Sequence, residues 1–352
     1  MDLITFNAIK VLLPAIIAFI VGISLTPLLS HYMYKLKLWR RYSRCESTDS
    51  TFKNSITNNN EVRTPRVGGL LVWISVFSTV ALIFLLYILF PTPITAKLEF
   101  ISRNQTFIPM ATLLIGSLLG LIDDLLQIYP PTFMKGDPIV FRYVKIVTII
   151  LLATVVGFWL YNKLGMTSIH IPFDGTVYIG VFFLPFFIVV TLGVFSTSVI
   201  DGIDGLSGGL LASIFASYAI IALSQNKIDL AALCAVISGS TLAFLWFNIP
   251  PARFYMGETG MMGLTLTLST VAFLTDTVLL LPIIIFPLFI TSLSNIIQLL
   301  SKKCRCGKRV FIVAPFHHHL EALGWSKEKI TMRYWIIGIM TASIGTIIAI
   351  VS

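Results

Sequence analysis

Long hydrophobic runs separated by shorter polar stretches extend along almost the whole chain. Each run is close to the length of a bilayer-spanning helix, which needs about 20 apolar residues. The alternating ten-residue segments of a transmembrane barrel are absent from the sequence. The pattern predicts ten membrane-spanning helices, at residues 11–32, 69–90, 107–126, 143–161, 178–199, 206–223, 230–248, 260–275, 279–299 and 334–351.

The composition supports this prediction. The 352 residues are 56% hydrophobic and only 12% charged, whereas soluble chains carry about 25% charged residues. The first hydrophobic run is too long, and too poorly flanked, for a cleavable signal peptide. We therefore expect an all-α polytopic membrane protein that forms a single integral domain over residues 1–352.

Basic residues are unevenly distributed between alternate polar stretches. Of the 25 Lys and Arg residues, 20 fall in one alternating set of loops when Lys145, at the start of the fourth span, is counted with the loop before it. Cytoplasmic loops of membrane proteins are enriched in Lys and Arg, so this set is expected in the cytosol and both termini outside. The net charge of +9 then reflects orientation and gives no argument for nucleic-acid binding. The expected cytosolic loops, which would form the site, are residues 33–68, 127–142, 200–205, 249–259 and 300–333.

Acidic residues cluster at the ends of predicted spans on this same side. Asp123 and Asp124 are adjacent, Asp201 and Asp204 flank a glycine turn, and Glu258 follows a third glycine. Ionisable groups beside a membrane span are functional candidates. No acid lies in the middle of a predicted span, where ion-coupled transporters usually place one. This favours an enzyme at the membrane surface, although glycine and proline within some spans leave a transporter open.

Several carboxylates near His, Lys and Arg indicate phosphate chemistry with Mg²⁺, which prefers oxygen ligands and screens phosphate charge. The run His317-His318-His319 is expected on the same side. Neighbours on a helix point about 100° apart, so at most two of these rings can face one ligand. Cys304 and Cys306 are expected to be reduced thiols. A zinc site there is left open, but their spacing is not a standard ligand pattern.

Five motifs in this order resemble those of the polyprenyl-phosphate sugar-1-phosphate transferases, over essentially the whole chain. They are Thr64-Pro65-Arg66-Val67-Gly68-Gly69, Gly120-Leu121-Ile122-Asp123-Asp124, Asp201-Gly202-Ile203-Asp204-Gly205-Leu206, Tyr255-Met256-Gly257-Glu258-Thr259-Gly260 and Pro315-Phe316-His317-His318-His319. The last motif, followed by Glu321 and Gly324-Trp325, is similar within that superfamily to the phospho-N-acetylmuramoyl-pentapeptide transferase family.

The resemblance implies the transfer of phospho-MurNAc-pentapeptide from its UDP-linked donor to undecaprenyl phosphate, giving lipid I and UMP. This is the first membrane step of peptidoglycan synthesis, with Mg²⁺ as the implied cofactor. The expected partners are UDP-MurNAc-pentapeptide, undecaprenyl phosphate and the lipid bilayer, with a homodimer left open and no nucleic acid. The expected location is the bacterial inner membrane, with a cytosolic active site. The alternative within the superfamily is a transferase that uses another UDP-amino sugar.

The resemblance also implies residue roles. Asp123 matches the acid proposed to activate the lipid phosphate, and Asp124 matches a neighbour that supports phosphate or metal binding. Glu258, one methylene longer, stands at the position of a metal-binding aspartate. Asp201 and Asp204 match acids of the nucleotide-side loop.

By the same resemblance, Asn248 and Tyr255 match positions that contact uridine, and Tyr255 would supply an aromatic surface on which the base stacks. Lys145 matches a basic residue of the fourth span. The expected catalytic residues are Asp123, Asp124, Asp201 and His318. The expected substrate-binding residues are Asp204, Asn248, Tyr255, Lys145, His317 and His319, and the expected metal ligands are Glu258 and Asp124.

Overall fold

The computed structural model describes residues 3–39, 64–92, 95, 98–129, 138–305 and 307–352. Parts of two predicted cytosolic loops, residues 40–63 and 130–137, lie outside the described residues, as does Cys306. Most of the described chain is helical. The helices are α1 (Leu3–Lys35), α2 (Gly69–Leu89), α3 (Phe107–Ile128), α4 (Pro138–Lys163), α5 (Phe183–Ser196), α6 (Leu206–Ser224), α7 (Ile228–Asn248), α8 (Gly257–Leu274), α9 (Leu281–Ile284), α10 (Phe286–Cys304), α11 (Phe316–Ala322) and α12 (Lys327–Val351), with 3₁₀ turns at Gly180–Phe182, Thr197–Ile200 and Val278–Leu280.

The predicted class, an all-α polytopic membrane protein, is confirmed, whereas the number of spans stays a prediction. Of the described helices, eight are long and apolar enough to cross a membrane, or nine if α9 and α10 form one bent span. The predicted span at 260–275 is helical as α8, but α8 is not among these nine. Threonine, serine and glycine residues lower its hydropathy.

Helix α8 has this composition because it faces protein along almost its whole length. The hydroxyl groups of Thr265, Thr267 and Ser269 donate to carbonyl oxygens one turn earlier in the same helix, so they need no water. Helix α3 packs closely against α8, because a Cβ at Gly120 would collide with the carbonyl group of Glu258. Small residues permit such close approach between membrane helices. The contact fixes the end of α3 against the start of α8.

The helix ends gather at two opposite ends of the bundle. At one end, Lys10 pairs with Asp229 at 2.6 Å, and Lys227 donates to the carbonyl oxygen of Leu274 at 2.6 Å. The opposite end gathers the ends of α3 and α7 and the starts of α4, α6, α8 and α12. All the acidic and histidine motifs lie at this second end. Which side of a membrane that end faces stays a prediction.

The predicted span at 279–299 corresponds to α9 and α10, which meet at an angle of 89°. The exposed side of α10 is apolar and includes Leu299 and Leu300, while its buried side is polar. On the buried side, Gln298 Oε1 accepts from the backbone N–H groups of Val310 and Phe311, each at 3.0 Å. Helix α10 thus holds the loop that leads to the histidines.

A short β-hairpin was not predicted from the sequence. Strands β1 (Ser168–Ile171) and β2 (Gly175–Tyr178) pair antiparallel, with Ser168 opposite Tyr178. The hairpin joins α4 to α5 at the end of the bundle away from the acidic motifs.

Candidate active site

Three charged side chains meet where α3, α4 and α8 approach one another. The ammonium nitrogen of Lys145 lies 2.7 Å from Asp123 Oδ2 and 2.7 Å from Glu258 Oε1. Gln127, one turn after Asp123 on α3, donates to the same Asp123 oxygen at 2.6 Å. The side chains of Asp123, Lys145 and Glu258 are 13%, 18% and 24% exposed, so solvent or a substrate can reach them. We call these three residues the charged cluster.

The second carboxylate oxygen of Glu258, Oε2, is buried and has no hydrogen-bond partner among the described residues. Such an atom is costly unless a donor or a cation reaches it. Asp123 and Glu258 converge on one point, which the Lys145 ammonium occupies. No group of three or more His, Cys, Asp or Glu within the described ranges is arranged to hold a metal ion. A metal here would need additional oxygens from a substrate, which is how Mg²⁺ is commonly held beside phosphates.

The remaining three acids each accept a hydrogen bond from a backbone N–H of the segment that leads into α8. These bonds run from Thr259 N to Asp124 Oδ2 at 2.8 Å, from Gly257 N to Asp201 Oδ2 at 2.8 Å and from Ala252 N to Asp204 Oδ2 at 3.0 Å. The Thr259 hydroxyl also donates to Asp124 Oδ2, at 2.7 Å. The first N–H groups of a helix lack intrahelical partners and favour negative charge. We call Asp124, Asp201 and Asp204 the anchoring acids, because they fasten the start of α8 beside the charged cluster.

Asp201 follows the 3₁₀ turn at Thr197–Ile200. Burial raises the pKa of its carboxyl group, while hydrogen bonds from Gly257 N and Ser207 Oγ oppose that rise. The hydrogen bond from Ser207 Oγ measures 2.9 Å. The positive charge of Arg66 also lowers the pKa of Asp201. The ionised form of Asp201 therefore depends on these donors.

Gly257 allows the tight turn before α8. Its φ is +66°, and a Cβ there would collide with the carbonyl oxygen of Arg66, so glycine is required. The backbone of Tyr255, two residues earlier, is also held in place. Tyr255 N donates to Pro65 O at 2.8 Å, and Gly68 N donates to Tyr255 O at 2.8 Å. These bonds attach the first sequence motif to the start of α8.

The two predicted uridine contacts differ in environment. Asn248 is only 1% exposed. Its Oδ1 accepts from Gly205 N at 3.0 Å and its Nδ2 donates to Phe254 O at 2.8 Å, so the amide joins the loop before α6 to the segment before α8. Tyr255 is partly exposed, with the Arg66 guanidinium 5.7 Å from its ring centroid. A base could stack in this region, whereas a uridine contact by Asn248 would require those bonds to rearrange; both contacts stay predictions.

His317 and His318 pack against the loop of the anchoring acids. A Cβ at Gly202 would lie 3.4 Å from Nε2 of each ring. His317 is fully buried with neither ring nitrogen hydrogen-bonded in the described structure, and burial beside His318 lowers the pKa of His317 well below its usual range. His318 is partly exposed and its Nδ1 lies 3.0 Å from Glu321 Oε2, a bond that lowers the pKa of Glu321. His318 is thus oriented at the edge of the site.

His319 has mainly aromatic surroundings. Its Nδ1 accepts from Ile312 N at 3.3 Å, and its ring packs against Phe311 and Phe316. The predicted substrate contact of His319 stays a prediction, while the contacts shown stabilise the loop before α11.

Three residues that hydrogen-bond to acids of the site were not predicted from the sequence: Gln127, Ser207 and Thr259. A signal was available for Gln127, which follows Asp123 by four residues, the spacing of neighbours on a helix face. Thr259 stands inside a quoted motif, but only the packing of α3 on α8 shows that it serves Asp124. Ser207 carried no comparable signal.

The zinc alternative gains no support. Cys304 is an exposed free thiol at the end of α10, and Cys306 lies outside the described residues.

Comparison with known proteins agrees with this arrangement. Residues 106–276 match the model of glycosyl transferase family 4. A phospho-N-acetylmuramoyl-pentapeptide-transferase of Geobacillus sp. (strain WCH70) is 31% identical over 341 residues, covering 96% of this chain and 97% of the relative. Those of Geobacillus thermodenitrificans (strain NG80-2) and Anoxybacillus flavithermus are 33% and 31% identical, covering 95% and 98% of this chain and 96% and 99% of the relatives. With matches of this extent, and with the five motifs gathered at one end of the bundle, the chain belongs to the phospho-N-acetylmuramoyl-pentapeptide transferase family.

Proposed function

We propose that the chain transfers phospho-MurNAc-pentapeptide from its UDP-linked donor to undecaprenyl phosphate, giving lipid I and UMP. The observation that carries this proposal is the charged cluster, in which two carboxylates and one ammonium converge at the end of an apolar helix bundle. Such a site is suited to two phosphates that meet at a membrane surface. The names of the full-length relatives support the identity of the transferred group.

In this reaction, an acceptor phosphate oxygen bonds to the phosphorus that carries the sugar, and the bond from that phosphorus to UMP breaks. A phosphate monoester has its second pKa near 6, so most of it is already ionised at neutral pH. Asp123 therefore contributes more by positioning the acceptor, together with Gln127 and Lys145, than by removing a proton. Lys145 also offsets the charge of Asp123 and Glu258, which would otherwise repel both substrates.

We propose Mg²⁺ as the cofactor, with Glu258 and Asp124 as its protein ligands. The unpartnered Oε2 of Glu258 fits a hard cation that seeks oxygen. When bound, Mg²⁺ would screen the charge of the reacting phosphates and stabilise the departing one. Asp124 is already held in place by Thr259, which orients it for that role.

An apolar groove between α5 and the bent pair α9–α10 could hold the lipid chain. Its volume is about 220 Å³. Apolar residues lining it include Val190, Val194, Ile285, Phe289 and Ile296. The hydroxyl oxygens of Ser196 and Ser292, also in the groove, are 2.5 Å apart, and Ser196 precedes the turn that leads to Asp201. We place the acceptor chain in this groove, with its phosphate toward the charged cluster.

The relatives come from bacteria, and we propose the bacterial cell membrane as the location, with the site facing the cytosol. The excess of basic residues in the loops at the site end supports this orientation. A donor that carries another UDP-amino sugar is the alternative within the family, and a homodimer stays a prediction.

A coupled assay in detergent tests the proposed reaction. Purified protein should release UMP from UDP-MurNAc-pentapeptide only when undecaprenyl phosphate is added, and a panel of other UDP-amino sugars should give slower release. A transporter needs a sealed membrane and should release no UMP. Uptake into vesicles without UMP release would overturn the proposal, and faster release from another UDP-sugar would reassign the donor.

The lipid groove is tested by filling it. Gly193 lines the groove, and a Cβ at that position meets nothing within 4 Å. We expect Gly193→Phe to raise KM for the lipid acceptor about tenfold, the equivalent of about 1.4 kcal/mol of lost apolar contact, with KM for the UDP donor unchanged. Val189→Phe is the matched control, because Val189 lies on the same helix, outside the groove, and is 66% exposed. Equal effects of the two changes would move the lipid elsewhere.

A further inference from the structure

A group of basic residues at the C-terminal end of α10 lies apart from the charged cluster. It consists of Lys302, Lys303, Arg305, Lys308 and Arg309, which are all exposed. The sequence contains no acidic residue between Asp276 and Glu321. Basic residues in the last turn of a helix interact favourably with the helix dipole. This explains the presence of Lys302 and Lys303, but not that of the three basic residues beyond the end of the helix. We call these five residues the basic group.

Backbone hydrogen bonds fold the basic group into a turn. Gly307 N donates to Lys302 O at 2.9 Å, and Lys308 N donates to Arg305 O at 3.1 Å. The Ser301 hydroxyl donates to Lys308 O at 2.9 Å. The chain therefore reverses at the end of α10, so the positive charges are concentrated around one turn.

The neighbouring surface of α10 is apolar and uncovered. Ile296, Leu299 and Leu300 are 45%, 61% and 55% exposed, which in a membrane protein places them against lipid. The basic group begins only two residues after Leu300, or about 3 Å along a helix axis. It therefore lies where the acyl chains of a leaflet give way to its headgroups, the level at which long basic side chains are favoured beside membrane helices.

We propose that the basic group binds the headgroups of anionic phospholipids in the leaflet that contains α10. Lys and Arg next to an anionic membrane each strengthen binding about fivefold, and their N–H donors match phosphate oxygens. The groove proposed for the acceptor lipid reaches only to Ile296 on α10. Lys302 lies about 9 Å farther along the helix, so the two lipid sites are distinct.

Lipid held at the basic group would act on the active site through the loop before α11. That loop is bonded to α10 by Gln298, and Phe316 N donates to Ser294 Oγ at 2.9 Å. Fixing the end of α10 therefore stabilises the position of His317 and His318. Anionic phospholipid is expected to increase turnover as well as to bind.

The exposed thiol of Cys304 allows a direct binding test, in a background with Cys45→Ser and Cys306→Ser. A donor fluorophore on Cys304 is combined with acceptor-labelled phosphatidylglycerol or phosphatidylcholine in vesicles of unlabelled phosphatidylcholine. We expect energy transfer to show an enrichment of the anionic lipid of about fivefold or more, since each basic residue contributes, and this enrichment should fall at high salt. A variant in which all five residues of the basic group, including Arg309, are changed to Gln should abolish the enrichment, whereas the change of its three lysines to arginine should retain it.

The control is Lys35→Gln, an exposed basic residue at the site end of α1, which should leave the enrichment unchanged. Equal transfer from both labelled lipids, or full enrichment in the Gln variant, would overturn the proposal. Displacement of phosphatidylglycerol by one equivalent of polyprenyl phosphate would also overturn it, because the basic group would then belong to the acceptor site. UMP release in detergent should persist in the Gln variant, which separates this proposal from the proposed reaction.

Discussion

The charged cluster and the anchoring acids contain the same kind of residue but differ in their partners. Asp123 and Glu258 meet other side chains, Lys145 and Gln127, and keep part of their surface exposed. The anchoring acids instead accept hydrogen bonds from backbone N–H groups at and just before the start of α8. A side-chain partner can move when a substrate arrives, whereas a backbone partner is fixed by the fold. The charged cluster is therefore suited to binding and the anchoring acids to holding the site in shape.

The adjacent pair Asp123 and Asp124 shows this division most directly. The two side chains leave α3 about 100° apart, so they face different neighbours. Asp124 is 4% exposed and bonded twice by Thr259, while Asp123 faces Lys145. Substitutions in the charged cluster should therefore lower turnover with little loss of stability. Substitutions in the anchoring acids should lower stability, and at Asp124, a proposed ligand of Mg²⁺, they should lower turnover as well.

The largest effect is expected at Glu258. Glu258→Gln removes the negative charge that pairs with Lys145 and that is proposed to bind Mg²⁺. Loss of one group that stabilises charge in the transition state typically lowers kcat by about 100-fold or more, and we expect a loss of that size here. Glu258→Asp keeps the charge and should retain part of the activity and of the dependence on Mg²⁺. The thermal midpoint of the Gln variant should stay close to that of the native chain.

Steady-state UMP release at several Mg²⁺ concentrations measures this effect. Native-like turnover in Glu258→Gln would remove Glu258 from the charged cluster as a functional group. A large fall in the thermal midpoint would instead place it with the anchoring acids.

The next effect is expected at Asp124, where stability should fall in addition to the Mg²⁺-dependent turnover. In Asp124→Asn, the amide oxygen can still accept from both donors of Thr259, which share one oxygen in the native chain. The side chain loses its charge, however, and gains an NH₂ group that needs an acceptor in a buried site. Weakening charge-assisted bonds in a buried site should cost about 1–3 kcal/mol. Asp123→Asn is the matched control, since it should lower turnover with little change in the thermal midpoint. Unfolding in detergent, followed by circular dichroism, checks both variants, and the reverse order of stabilities would contradict the division of roles.

A smaller effect should depend on pH through His317. Its pKa is held below the usual range by burial, so the folded state keeps it neutral while the unfolded chain protonates it near pH 6.5. As pH falls below about 6.5, the unfolded state gains protons that the folded state does not, and stability is lost by up to about 1.4 kcal/mol per pH unit. The pKa of Asp201 is raised in the folded state, so its contribution to stability increases, rather than decreases, as the pH falls through that raised pKa.

Thermal midpoints at pH 7.5 and 5.5 measure this dependence. The native chain should lose stability between them, and His317→Gln, which cannot titrate, should lose less. His31→Gln, at an exposed position, should lose as much as the native chain. An unchanged pH dependence in His317→Gln would exclude this histidine as its source.

The sequence could predict the helical segments and the gathering of the motifs, because both follow from local hydropathy and from the alternation of loops between two sides. The resemblance assigns Asp123 and Asp124 different roles, but hydropathy and spacing could not show which neighbours each one contacts, since that depends on how Gly120 lets α3 approach α8. Nor could the sequence predict that Lys145 joins Asp123 to Glu258, because those residues come from three separate helices. Pro287 could be read from the sequence as an interruption of its span, but hydropathy carries no information on direction, so the angle of 89° before α10 comes only from the structure.

The smallest effect is expected at Ser207, which gives Asp201 its second hydrogen bond. In Ser207→Ala, Asp201 keeps the bond from Gly257 N, so about 1 kcal/mol of stability should be lost and kcat should change less than about fivefold. The pKa of Asp201 should rise further, because a donor that opposed the effect of burial is gone. Ser213→Ala is the control on the same helix, since Ser213 Oγ donates only to a helix carbonyl, Leu210 O, and its loss should cost less. If Ser207→Ala abolished UMP release at an unchanged thermal midpoint, Asp201 would act on the substrate, and the distinction between anchoring acids and charged cluster would fail at that residue.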